Sequence, residues 1–109
     1  MKKATKSSGI PLDEIRMERL KDPKRADYAI KLALKAFETD NDVAVFLDTL
    51  RLVAQAQGGL TELARKTALS RQALHQVLSP TGNPRLRTLQ TVLTSLGLRM
   101  SFKAVLTKG

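Results

Sequence analysis

From Asp22 to Leu96 the apolar residues recur at three- and four-residue steps, and turn residues cut the pattern into short pieces. A chain patterned in this way can bury its apolar side chains only by packing short helices on one another. The first long piece opens at Asp22-Pro23, where Asp can cap free amides and Pro already has a helical φ. Ala26, Ala29, Ile30, Ala33, Leu34 and Phe37 form a stripe opposite Lys24, Asp27, Lys31, Lys35 and Glu38, which predicts an amphipathic helix over 23–38. The polar run from Glu38 to Asp42 breaks it. Asp42 can cap a second helix over 43–57, with Val43, Phe46, Leu47, Leu50, Val53 and Ala54 inward and Gly58-Gly59 at its end.

Two short helices, over 61–67 and 71–78, are expected next. The loop LSPTGNP follows, then a helix over 87–96 with Leu89, Val92, Leu93 and Leu96 inward and Gly97 as its stop. Beyond Gly97 the period drops to two. Leu98, Met100, Phe102, Ala104 and Leu106 alternate with Arg99, Ser101 and Lys103, which predicts a half-buried strand over 98–105. A lone strand must pair, either with its copy across a two-fold axis or with a partner's sheet, and the residues leave both open. The expected fold is mainly α: a compact bundle of about five helices with a central helix-turn-helix and one short C-terminal β-strand. Residues 1–22 form a Lys/Ser/Gly-rich flexible arm and a short segment (12–20) too brief to stay helical without packing, and 23–109 form a single domain.

Charge narrows the function. The 109 residues carry a formal charge of +9, unevenly placed. Residues 1–42 hold ten Lys/Arg against eight Asp/Glu, whereas residues 43–109 hold nine against two, Asp48 and Glu62. Paired-carboxylate catalysis has little material there, and a phosphate-seeking surface has much. With no Cys and one His, a thiolate nucleophile, a disulfide framework and an all-protein zinc or copper site are not expected. No apolar run is long enough to span a bilayer, and the N-terminal lysines precede no apolar stretch of a secretory signal. The expectation is a chain that is no enzyme, carries no cofactor or metal, and does not meet the membrane.

The segment from Leu60 to Val77, LTELARKTALSRQALHQV, is where these requirements converge. Leu63 and the small Ala64 allow a second helix to cross closely, the geometry of a helix-turn-helix. Ser70 can cap that second helix. With Leu69, Leu74, Val77 and Leu78 inward, its outward face is Arg71, Gln72, His75 and Gln76, without an acid among them. Arg pairs bidentately with guanine and Gln with adenine in the major groove, so these four are the candidate base contacts. His75 lacks the orienting acid a general base needs and is expected as a groove or water contact. Thr61 at the start of the first short helix, Lys66 near its end, and Arg85 and Arg87 before the last helix are the candidate phosphate contacts. Arg85 and Arg87 are cations where a helix N-terminus disfavours them, by roughly 0.3–1 kcal/mol, which either an external phosphate or screening by solvent offsets.

On these residues the stretch from about Pro23 to Phe102 resembles the "probable addiction module antidote protein" family, small HigA-like antitoxins in the Xre/Cro-type helix-turn-helix group. The carrying segments are LTELARKTALSRQALHQVLSPTGNPRLRTLQTVL and LGLRMSF, with DYAIKLAL upstream. The string LSR-x-x-L-x-x-x-LS-x-x-GNP-x-x-x-TL is more specific than a generic helix-turn-helix. The resemblance implies a bacterial, cytoplasmic, nucleoid-associated homodimer that represses its own operon by binding double-stranded DNA, and that neutralises a toxin of the RelE/ParE superfamily. By the match Ser70 falls at the start of the recognition helix and Asn83 in the loop before the last helix, as further phosphate contacts. The alternative is a free-standing phage-like repressor with no toxin. Two positions depart from the pattern: Ala68 stands at a bend where related sequences usually carry Gly, and Arg87 where they tend to carry a capping residue.

Overall fold

Side chains that accept from free amides, and residues in left-handed conformation, set the helix boundaries of this protein. The computed structural model describes residues 12–106, in which six helices follow one another: α1 (Leu12–Arg19), α2 (Pro23–Asp40), α3 (Val43–Ala56), α4 (Gly59–Thr67), α5 (Arg71–Val77) and α6 (Leu86–Ser95). Asp22 caps α2 by accepting from the Lys24 amide at 3.0 Å, with Pro23 at the first helical position. Asn41 closes α2 at φ 56°, its amide donating to the Phe37 carbonyl at 2.8 Å. Asp42 then accepts from the Val45 amide at 3.2 Å and starts α3. At the far end of the chain Gly97, at φ 81°, lets its own amide reach the Thr94 carbonyl (3.0 Å) while the Leu98 amide reaches Leu93 (2.8 Å). These two bonds satisfy the last carbonyls of α6, and a glycine fits the left-handed position without a Cβ clash.

The core is built around α3. Phe46, Leu47, Thr49, Leu50, Leu52, Val53 and Ala54 are all buried, so this helix is covered on nearly every side. Helices α1, α2 and α4 pack on it, and α4 in turn carries α5 and α6. Leu60 and Leu63 of α4, Leu74 of α5, Leu78, and Val92 and Leu93 of α6 complete the same apolar cluster.

Several expectations are corrected. There are six helices among the described residues rather than about five, because 12–19 is helical. Tertiary support explains why so short a segment persists: α1 packs on α3, Leu20 is buried, and the Gln57 side-chain amide donates to the Leu20 carbonyl at 3.1 Å. Gly59 does not merely end the preceding helix; it is the first residue of α4, which therefore starts two residues earlier than expected. The apolar stripe of α2 is narrower than its sequence suggests. Ala26, Ile30 and Ala33 are buried, while Leu34 and Phe37 are exposed. The C-terminal strand over 98–105 is absent. Leu98 and Met100 pack against the core, but no described segment lies alongside to form a ladder, and alternation alone cannot supply one. The arm over residues 1–11 lies outside the described residues.

This arrangement separates two leucines of equal composition. Leu50 is 0% exposed and Leu32 is 50% exposed. Leu50→Ala is expected to lower unfolding free energy by about 2–5 kcal/mol, and Leu32→Ala by less than about 1 kcal/mol, read from urea unfolding midpoints.

Candidate nucleic-acid interface

Helices α4 and α5 are joined by three residues, 68–70, and the bend is held from both sides. Thr67 is buried, and its hydroxyl donates to the Leu63 carbonyl at 2.8 Å while accepting from the Leu69 amide at 3.3 Å. Ala68 sits in left-handed conformation, φ 61° and ψ 19°. A non-glycine residue there costs about 1–2 kcal/mol in steric contact, so the surrounding packing overrides a local preference. Ser70 follows in extended conformation and its hydroxyl oxygen accepts from the Ala73 amide at 2.9 Å. The chain is thereby turned so that Leu74 and Leu78 reach the core and Leu69, Ala73 and Val77 are half-buried.

The opposite face of α5 is then Arg71, Gln72, His75 and Gln76, all exposed. No acid lies on this helix. Glu62, in the first turn of α4, is engaged by Arg65: Nε donates to one carboxylate oxygen at 3.1 Å and a terminal nitrogen to the other at 2.5 Å. The hydrogen bond from Arg65 holds the Glu62 carboxyl below its ordinary value, and the same bond raises Arg65. Arg65 is therefore committed within its own helix, whereas Lys66, Arg71, Arg85 and Arg87 have no ion-pair partner among the described residues.

The other candidates occupy three places. Thr61 is exposed in the first turn of α4, two residues in from the helix start. Lys66 is exposed in the last turn of that helix. Asn83 is exposed in the loop before α6, Arg85 is the N-cap residue of α6, and Arg87 lies in its first turn. Neither Gly58 before α4 nor Arg85 before α6 supplies a side-chain cap, so the first-turn amides of both helices remain open to an external acceptor. Gln76 and Asn83 line one shallow groove, together with Ser79, Thr81 and Thr88.

Three contributors escape a reading of the sequence by residue type. Thr88 borders that groove from α6. Thr67 fixes the bend, and a small hydroxyl residue just before a helix break is the signal for it. Gly82 is the third. A Cβ there would lie 2.3 Å from the Val77 carbonyl oxygen, so only glycine lets the loop close on the end of α5. That closure is reinforced by the Gly82 amide donating to Ser79 (2.9 Å) and the Ser79 hydroxyl donating to the Gln76 carbonyl (2.8 Å). The GNP triplet is the corresponding trace in the sequence. Among the described residues no group of three or more metal-ligating side chains comes together, and no helix is long and apolar enough to cross a membrane.

The fold and this surface belong to a small helical protein whose last two helices carry no acid. Residues 19–104 match the family described as "Probable addiction module antidote protein", and the chain belongs to that family. A protein of Haemophilus influenzae described as "Uncharacterized protein" is 31% identical over 87 residues, covering 75% of this chain and 89% of the relative. No solved structure matches the chain.

Two outcomes follow from the local chemistry. Ala68→Gly relieves the left-handed strain at some cost in chain entropy, and a net gain of about 0.5–1 kcal/mol is expected, a rise in Tm of roughly 2–8 °C by calorimetry. The lowered Glu62 carboxyl stabilises the folded state above its ordinary value of 4.5, and this contribution is lost as pH falls through the folded value. A gap in urea midpoint between the native chain and Glu62→Gln is expected at pH 7 and should narrow as pH falls below 4.5.

Proposed function

We propose that this chain is the antitoxin of a type II toxin–antitoxin module, of the HigA-like, Xre/Cro-type helix-turn-helix group. In this reading it is a sequence-specific DNA-binding autorepressor that also binds and neutralises a toxin of the RelE/ParE superfamily. It acts as a cytoplasmic homodimer and by binding, with no catalysis of its own. Membership in an antidote family supports a toxin partner in general. The single observation that carries the DNA half of the reading is the exposed face Arg71, Gln72, His75 and Gln76, presented by a short helix that Leu74 anchors at 0% exposure.

The assignments follow side-chain chemistry. Arg71 suits the O6/N7 edge of guanine, Gln72 and Gln76 suit the N6/N7 edge of adenine, and His75 takes a groove or water-bridged contact. Lys66, Arg85 and Arg87 supply charge to phosphates. Thr61 is in the first turn of α4 and Asn83 two residues before the N-cap of α6, and the open amides of both helices favour the same ligand. Ser70 uses its oxygen to cap α5, which leaves its hydroxyl proton for a phosphate.

A homodimer touching about six phosphates should show a log–log salt dependence of operator affinity with a slope near −5. Gln72→Ala should weaken binding to the operator by about 1–3 kcal/mol while leaving random DNA nearly unchanged, and Arg85→Ala should weaken both alike. Titrating labelled DNA upstream of the gene across salt concentrations checks all three. Salt-independent binding, or identical effects of the two substitutions on both DNAs, overturns the reading. Co-purification with the product of the adjacent gene tests the toxin half, and a chain that represses its promoter with no such partner is a free-standing repressor.

A further inference from the structure

The apolar row of the C-terminal segment begins in the core and ends in solvent. Leu98 and Met100 pack against the core. The next residues of the same row are Phe102, 91% exposed, Ala104, exposed, and Leu106, 93% exposed. Residues 99–106 make no backbone hydrogen bond to any described residue. An extended segment with free amides and carbonyls on both edges and an uncovered apolar row is a template for another strand.

We propose that this segment pairs antiparallel with the same segment of a second copy, about a two-fold axis at Phe102. The inference rests on the homodimer of the proposed function and gives it an interface and a register. In such a pair the residue k places before the centre faces the residue k places after it, and facing side chains share one side of the ribbon. Each possible centre can therefore be tested against the sequence.

A centre at Ser101 sets Arg99 against Lys103, and a centre at Lys103 sets that cation against itself. Like charges directly opposite are destabilising. A centre at Met100 leaves Leu106 facing Thr94, inside α6, where no ladder can form. A centre at Ala104 sets Lys108 against Met100, a charge on the apolar row. A centre between two residues pairs the apolar row with the polar one throughout, as any one-residue slip does.

Only the Phe102 centre is free of these faults. It sets Leu98 against Leu106, Met100 against Ala104 and Phe102 against its own copy on one side. On the other side it sets Arg99 against Val105 and Ser101 against Lys103, and no two cations meet. It also explains why half the row is seated and half is bare. Leu106 and Ala104 of one copy come to lie beside Leu98 and Met100 of the other, the residues already resting on that copy's core. The arrangement is self-complementary, as a two-fold interface must be. The Phe102 pair at the axis adds an aromatic contact.

Because the chain contains no cysteine, every introduced thiol is unique in its copy. In full-length protein under mild oxidation, Phe102→Cys is expected to form a disulfide-linked dimer, since facing Cβ atoms lie about 4.5–5.5 Å apart, a small shift from disulfide reach. Met100→Cys alone and Ala104→Cys alone should stay unlinked, each being roughly 13 Å from its own copy, yet a mixture of the two should cross-link. Phe102→Lys should weaken self-association at least tenfold by sedimentation with helical circular dichroism unchanged, which separates loss of the interface from loss of the fold. Preferential linking through Ser101→Cys, equal linking at every position, a native chain that is monomeric at tens of micromolar, or a segment that pairs only with the toxin overturns the proposal. Operator binding measured on the same samples keeps the two readings apart. A dimer cross-linked through position 102 that ignores operator DNA leaves the register standing and removes the DNA reading. A DNA-binding dimer linked elsewhere does the reverse.

Discussion

Everything in this molecule is positioned by the burial of α3. Leu47, Leu50, Leu52, Val53 and Ala54 are at most 1% exposed and point to several sides of one helix, so no neighbour can move independently of it. Burying a large aliphatic side chain contributes about 1.5–3 kcal/mol. A helix covered all round therefore serves as the post against which amphipathic neighbours lose their apolar faces. Helices α1, α2 and α4 do so directly, and α4 passes the constraint on to α5 and α6. The exposed face of α5 is thus fixed at one remove from the core: α3 places α4, the Thr67–Ala68–Leu69 bend sets the crossing, and Leu74 and Leu78 lock the roll of α5. The left-handed Ala68 fits this hierarchy. A local cost of order 1–2 kcal/mol is tolerated because the alternative would lift Leu74 and Leu78 out of the core.

How far the sequence reveals this depends on the range of the interactions. Helix starts at Asp22, Asp42 and Ser70 were legible because a cap acts within three residues, and all three side chains accept the expected kind of amide. The left-handed Gly97 was legible for the same reason, whereas the left-handed Ala68 was not, because an alanine has no local preference for that conformation. What the sequence concealed lies at longer range or in the backbone. The persistence of α1 depends on Gln57 reaching the Leu20 carbonyl across 37 residues. Leu34 and Phe37 share the period of the α2 stripe, but no described helix covers that side, and periodicity cannot say how wide a neighbour will be. The need for glycine at position 82 arises from the Val77 carbonyl, which no residue-type rule anticipates. The strand was misread because alternation encodes an extended chain, while a ladder also requires a second one. At the candidate interface, the outward direction of Arg71, Gln72, His75 and Gln76 was legible from the inward leucines, whereas the commitment of Arg65 to Glu62 depends on a side-chain rotamer that residue type leaves free.

The distribution of ion pairs gives the net charge a more specific meaning. In the N-terminal half, cations alternate with acids at helical spacing, and Lys21–Glu18, Arg25–Asp22 and Lys31–Asp27 form exposed pairs within or beside their own helices. Such pairs contribute little stability, but they cancel the local field. In the C-terminal half the two acids are both taken, Asp48 by Arg51 and Glu62 by Arg65. No carboxylate then remains to offset Lys66, Arg71, Arg85 and Arg87. An unpaired cation at an open helix N-terminus, as at Arg85, stands against the helix dipole. A phosphate bound there would meet the cation and the free amides together, relieving the repulsion that the protein alone leaves in place. Both acids of this half sit three residues from an arginine on their own helices. Each of these pairs cancels a carboxylate's field within its own helix and, being partly exposed, adds little to the stability of the fold.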